Sequence, residues 1–466
     1  MISPLPSELW LQIADYLERP SLNLLSRSNR ALYSLLLHTL HRHLILQGNK
    51  LSVDQIRQTL TRIGDDPALS QAVRSFTLYK LGSSALDSAI FSSRSFPNLS
   101  DITLDQLSID ERQLDQLLIS IDKHPFSFRL SEGIFKAYNS FATAKRYDLN
   151  GPLPRFTSLS ITNHLSVLQF LPILIYWTST PTLEHLSLDG DPNLITGFLR
   201  GRLTRLPSVP FPRLKTLRLS GFWYIDVRLF ESMPALEELC FIHPCLDYYP
   251  NTLHLPEQSL PRLRQYDGVA EYVMPIVHGR PIHSVTLSGR TEGFSYSSLG
   301  TPMLNLGSLT LIRCLTLKYT TDPFEALIFA ASAFPALYEL TITAAYKCVV
   351  TPVGNFTAAR HTSAADVVYL RQSEFVSGCI KYLRRFTELR HLVYGFLNTA
   401  SGWAALPWER RVCEVLEQTA PNIKSVRLSL AQWRKSDIDG SWYHPRLGTI
   451  GTLFTPSKQW PDPAGP

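Results

Sequence analysis

From residue 70 onward, apolar side chains recur as a triplet: two positions separate the first from the second, and one separates the second from the third. A Pro commonly stands two positions ahead. Leu99 leads such a triplet with Ile102 and Leu104, and Leu183 with Leu186 and Leu188. Leu214, Leu236, Leu337 and Ile423 lead four more, and weaker copies begin at Val73, Phe156, Leu263, Ile282, Ile312 and Leu389. Most starts lie 19 to 34 residues apart, and the 52-residue step from Leu337 to Leu389 predicts a divergent repeat hidden within it. Alternation of this kind fits short strands, with Leu186 and Leu188 inward and His185, Ser187 and Asp189 outward. One such strand cannot bury its own apolar face, whereas a stack of them makes a parallel sheet over a continuous core. Residues 110–121, 323–334 and 363–386 carry patterns suited to return helices.

The first 47 residues follow a helical period instead. Pro6 and Glu8 suit a first turn, Leu9, Ile13 and Leu17 follow at four-residue steps, and Pro20 is expected to end that helix. Leu22 and Leu25 mark a short second helix. A third, expected over 29–46, places Leu32, Leu36, Leu40 and Leu44 on one face, flanked by Tyr33, Leu35, Leu37 and Ile45. That band is wider than one core-facing stripe requires, and a unit of roughly 40 residues lies near the lower size limit for folding alone. Part of the band should therefore meet another surface. Next, Ser52-x-x-Gln55 has the form of a capping box, followed by Ile56, Leu60, Ile63 and a Gly64 stop. The expected organisation is a helical unit at 1–47, a linker helix at 48–70, a repeat array at 71–455 and a disordered tail at 456–466.

Leu5-Pro6-x-Glu8-Leu9, Ile13, Leu17, Leu22, Leu25-Ser26, Arg30 and the apolar third helix together resemble an F-box, especially its fungal form. Ser28 and Leu32 stand where many members have Val and Trp. The repeat period and pattern resemble leucine-rich repeats, without the Asn that often closes the strand turn. The fold these resemblances imply is α/β: an N-terminal three-helix F-box, then an irregular leucine-rich-repeat solenoid with a curved parallel sheet. They also imply a partner set. A Skp-type adaptor would bind Leu5, Pro6, Leu9, Ile13, Leu17 and Leu32, a cullin scaffold would follow through the adaptor, and the repeats would hold an unidentified protein substrate. Two rival expectations are an adaptor-bound scaffold that joins no cullin, and an enzyme built on a repeat scaffold.

Composition narrows the field. With 45 basic and 39 acidic residues the net charge is +6, and no concentrated basic run appears, so no nucleic-acid partner is expected. The longest apolar stretch, near Val167 to Trp177, is broken by Gln169 and Pro172 and is too short to span a bilayer. No membrane partner is expected. The N-terminus has no secretory pattern, and the six scattered cysteines fit reduced thiols in the cytoplasm or nucleus.

The chain contains no glycine-rich phosphate loop, no Gly-x-Ser-x-Gly elbow and no His-Glu-x-x-His, so no catalytic residue and no cofactor are expected. Cys240, His243 and Cys245 lie close in sequence but lack metal-ligand spacing, and His38, His41 and His43 read as a solvated strip. Binding is expected on the outward strand positions and the loops after the strands. Those positions are small and polar (Thr77, Thr103, Ser160, Ser187, Thr286, Thr316 and Thr341), with Arg218, Lys318 and Arg427 adding charge. Arg218, Trp223, Tyr224, Tyr248 and Trp433 are the expected target contacts, because aromatic and Arg side chains dominate many interfaces. For any single aromatic, packing at the edge of the array is the competing role.

Overall fold

The computed structural model describes residues 5–93, 96–110, 126–131, 134–136, 155–162, 171–205, 211–221, 227–242, 255–256, 258–269, 273–288, 311–320, 323–344, 382–396, 420–428, 431–436, 441–444 and 448–449, with a few single positions besides. The chain forms two compact units, one of Met1–Glu237 with Ile242–Tyr249, the other of Glu238–Phe241 with Pro250–Pro466.

The first unit opens with three helices: α1 (Ser7–Tyr16), α2 (Arg19–Ser28) and α3 (Arg30–His41). Pro6 stands at the N-cap of α1, just ahead of the first turn expected for it, and Glu8 sits in that turn as expected. Pro20 does not end α1; it stands in the first turn of α2, where its missing amide costs nothing. The Asn29 side chain accepts from the Ala31 amide and starts α3. Ala14, Leu22, Leu36 and Leu40 form the core of this unit, with Leu17 and Leu25 half-buried against it.

The third helix is shorter than its period predicts. It ends at His41, and strand β1 (His43–Gln47) follows. Leu44 and Leu46 point inward from β1, while Ile45 points out. β1 pairs in parallel with β2 (Ser75–Tyr79), so the sheet begins some 30 residues before the expected first strand, and the expected boundary at 47 falls at the end of its first strand. Gly48 closes the turn after β1: its amide donates to the Tyr79 carbonyl (2.9 Å), and a side chain there would collide with the Lys80 carbonyl. α4 (Val53–Asp65) is capped by the reciprocal Ser52–Gln55 pair and buries Ile56, Leu60 and Ile63. α5 (Pro67–Ala72) follows, capped by Asp66.

From β2 the strands stack in parallel and largely in sequence order: β3 (Asp101–Asp105), β5 (Phe126–Ser131), β7 (Phe156–Thr162), β8 (His185–Asp189) and β9 (Thr216–Ser220). Short β4 (Ser108–Asp110) and β6 (Ile134–Lys136) pair separately beyond the ends of β3 and β5. The triplet residues are the core. Val73, Phe76 and Leu78, Leu99, Ile102 and Leu104, Leu183, Leu186 and Leu188, and Leu214, Leu217 and Leu219 are all buried. β5 is a repeat the pattern did not reveal. Its Phe126 and Phe128 pack with Phe156, and Phe128 and Phe156 with Trp177 of α7 (Leu171–Thr178), ring centroids 4.9–5.9 Å apart. Helices α6 (Ser83–Ser93), α8 (Pro192–Arg205) and α9 (Val227–Glu231) lie between strands of this unit.

The second unit repeats the plan. β10 (Glu238–Ile242), β11 (Gln265–Val269), β12 (Ser284–Ser288), β13 (Cys314–Thr320), β14 (Glu339–Ala344), β15 (His391–Phe396) and β16 (Ser425–Leu428) each pair in parallel with the next. α10 (Val273–Val277) and α11 (Pro323–Ala333) return between them, the latter as expected. β14 pairs directly with β15, so the long step between them inserts no strand into the sheet. β17 (Ala431–Lys435), β18 (Trp442–His444) and β19 (Gly448–Thr449) then turn antiparallel, a departure from the all-parallel expectation. Most of the helix expected at 110–121, most of that at 363–386 and the tail expected at 456–466 lie outside the described residues. The architecture is α/β and leucine-rich-repeat-like: parallel strands, one per repeat, over a leucine-rich core.

Candidate functional site

The N-terminal helices bury little of their apolar surface. On α1 only Ala14 is buried. Leu5, Leu9 and Ile13 remain 45%, 41% and 39% exposed, and Tyr16 is 90% exposed. Positions 9, 13 and 16 are helical neighbours, and Leu5 precedes the helix cap, so these four side chains form one stripe. The core takes Ala14, about 100° around α1 from Ile13, and Leu17, the extended C-cap residue just beyond the helix, which leaves the stripe facing solvent. Of the expected adaptor contacts, Leu5, Pro6, Leu9 and Ile13 are thus exposed, whereas Leu17 and Leu32 are half-buried. Leu24 (70%), Leu11 (38%) and Tyr33 (40%) add apolar surface to the same three-helix unit. Leu11, Tyr16 and Leu24 were not singled out from sequence, although each lies off the core-facing stripe of its helix. Burying what remains exposed of Leu5, Leu9 and Ile13 would contribute on the order of 1 kcal/mol each.

The outward strand positions align across the sheet of each unit. In the first unit Ile45, Thr77, Thr103, Arg129, Ser160, Ser187 and Arg218 occupy one register row. Arg129 and Arg218 are exposed among short hydroxyl side chains, which leaves both guanidiniums accessible. In the second unit Asp267, Thr286, Thr316 and Thr341 share a row, and Lys318 forms an ion pair with Asp267 (3.2 Å).

Trp433 differs from its expected role. It is fully buried on β17, opposite Val426, because the antiparallel return of β17 turns its ring inward. It is a packing residue rather than a target contact. Trp223, Tyr224 and Tyr248 lie outside the described residues.

Among the described residues no three His, Cys, Asp or Glu side chains are placed to hold a metal. Cys240 is half-buried on β10, and His243 and Cys245 lie outside the described residues. Burial and the neighbouring Glu339 push the Cys314 thiol up, the reverse of what a reactive thiolate requires. A hydrogen bond from the Lys215 ammonium holds Glu184 below the usual carboxylate range, an ion pair between adjacent repeats. Among the described residues no helix is long and apolar enough to cross a membrane.

No family model and no curated protein matches the chain. Among solved structures, the chain is similar to one described as "Crystal structure of Rad7 and Elc1 complex in yeast". That match has 14% identity over 72% of this chain and 87% of the other, with a TM-score of 0.41. A second, described as "Crystal structure of TLR13-ssRNA13 complex", matches at 14% identity over 66% of this chain and 51% of the other, with a TM-score of 0.27. With scores this low, neither likeness bears on what this chain binds. Strand register and triplet burial carry the repeat assignment, and the apolar stripe is the feature that calls for a partner.

Proposed function

We propose that the chain is the substrate-recognition subunit of an SCF-type ubiquitin ligase. Its three N-terminal helices act as an F-box that docks on a Skp-type adaptor, and through the adaptor on a cullin. Its repeats hold a target protein. The observation that carries this reading is the stripe Leu5–Leu9–Ile13–Tyr16, left exposed on the helix whose sequence resembles an F-box. Apolar side chains at helical spacing with no internal partner are the physical form of a docking surface. The chain would break and form no bonds itself. It would hold a target lysine near the activated ubiquitin, making transfer effectively intramolecular. Such a subunit works in the cytoplasm or nucleus, where thiols stay reduced. Target capture falls to the outward row that includes Arg218, with Trp223, Tyr224 and Tyr248 as further contacts by their sequence positions.

The test is co-purification of adaptor and cullin from cells with the full chain and with a Leu9→Asp, Ile13→Asp variant. Recovery of both partners by the wild type and neither by the variant is the expected result. Recovery of the adaptor without the cullin would instead favour an adaptor-bound scaffold.

A further inference from the structure

In the second unit, the residue just before each parallel strand from β11 to β16 sits in one transverse row, tied together by backbone hydrogen bonds. The His283 amide donates to the Arg264 carbonyl (2.9 Å), Arg313 to His283 (2.9 Å) and Tyr338 to Arg313 (2.7 Å). Arg390 then donates to Tyr338 (2.9 Å), Lys424 to Arg390 (2.8 Å) and Lys435, at the end of β17, to Lys424 (2.8 Å). Six of the seven positions are Arg, Lys or His. Neighbouring strands lie about 4.8 Å apart, so the row runs for roughly 29 Å. Charges spread through the sequence from 264 to 435 are thus assembled by folding into the basic stripe that no sequence run contains.

Part of the charge of this row is uncompensated. Glu388 pairs with Arg313. Among the described residues Arg264, Arg390 and Lys435 form no ion pair. The row's far end lines an open trough of about 580 Å³ in which Arg390, Lys424 and Lys435 meet Tyr338, Pro421 and Asn422; Glu388, already paired with Arg313, is the one carboxylate on its wall. Such a trough admits an extended chain and offers charge, an amide and two apolar surfaces.

We propose that this basic row binds an acidic segment of a protein, lying extended across the strands. The inference rests on the reading of the chain as a target-capturing subunit and names the chemistry of the target. An extended peptide with carboxylates at every second position puts them all on one side, about 6.7 Å apart, and some nine residues cover the row. Arg engages such carboxylates through paired hydrogen bonds. Single-stranded nucleic acid fits less well, because it requires aromatic faces for its bases. Tyr338 is the row's one ring other than imidazole. Its face already carries the Arg390 guanidinium (5.4 Å), and His391 meets it edge-on (5.1 Å).

The experiment titrates the full chain into a fluorescein-labelled ten-residue peptide of alternating Ser and Glu. Parallel arms use the Ser and Gln analogue and a ten-nucleotide oligothymidylate. Arg390→Gln, Lys424→Gln and Lys435→Gln together should weaken binding of the Glu peptide at least tenfold. Removing equal charge elsewhere, as Arg62→Gln, Arg155→Gln and Arg213→Gln, should change it less than twofold. Lys435→Glu alone serves as a second variant should the triple one melt early, and is expected to weaken binding at least threefold. Equal losses in row and control variants, equal binding of the Gln analogue, or tighter oligothymidylate binding with the same residue dependence would each overturn the proposal. Adaptor co-purification by the same variants separates the two ideas. Normal adaptor recovery with no preference for the Glu peptide sinks the inference alone, whereas row-dependent peptide binding without adaptor recovery sinks the ligase reading alone.

Discussion

Arg280 is 3% exposed and directs its guanidinium at backbone carbonyls: Pro256 and Ser259 ahead of β11, Ile276 of α10, and His278 just beyond it. One side chain thereby fastens a loop to the carbonyl end of a helix, where a cation is also favoured by the dipole. Only the five-donor fork of Arg can do this, so Arg280→Met should cost at least about 3 kcal/mol through lost charge-assisted bonds. Arg280→Lys should recover little of that, and denaturant unfolding measures both. Leu217 is buried at the centre of its triplet, and Leu217→Ala should cost about 2–5 kcal/mol by the same measurement. The Glu184–Lys215 pair gives a weak pH signal. Because the folded carboxyl is held below its unfolded pKa, its contribution is present above the unfolded value and is lost as pH falls through the folded one. Both groups are partly exposed, so the amount is below about 1 kcal/mol. Glu184→Gln should flatten the acid side of the stability curve by no more than that.

At the scale of elements, the start of α4 is legible in its sequence, whereas Gly64, expected to stop the helix, lies inside it. Its capping box forms as its sequence indicates, and Ser52→Ala should cost about 1 kcal/mol, seen as a lower denaturation midpoint. The repeat strands were equally legible, since spacing of three and then two residues puts all three apolar side chains inward. β1 was hidden by a coincidence of period: Leu44 continues the four-residue steps of Leu32, Leu36 and Leu40, yet pairing with β2 claims it for the sheet. β5 was hidden because its lead, Phe126, stands two rather than three residues ahead of Phe128, with Pro125 directly before it rather than two positions ahead. Trp433 was misplaced because the reversal of β17 is a tertiary event with no short-range marker. The exposed stripe of α1 was visible as surplus apolar surface, though not which of its residues the core would take. The basic row could not be read at all, since its members become neighbours only through strand register.

At the scale of the whole molecule, the proposed tasks fall on separate surfaces: an apolar helical face for the adaptor, polar strand rows and a basic row for the target. Because β1 belongs to the sheet, deleting residues 1–47 would strip the first strand as well as the helices and would confuse lost docking with lost folding. Point changes at exposed positions avoid this. The most direct measurement is adaptor binding by the purified full chain, wild type against Leu9→Asp with Ile13→Asp, with melting temperature recorded for both. The expected result is a loss of at least a hundredfold in adaptor affinity, about 2.7 kcal/mol, at an unchanged melting temperature. Equal adaptor affinity in the two proteins, or no affinity in either, would contradict it.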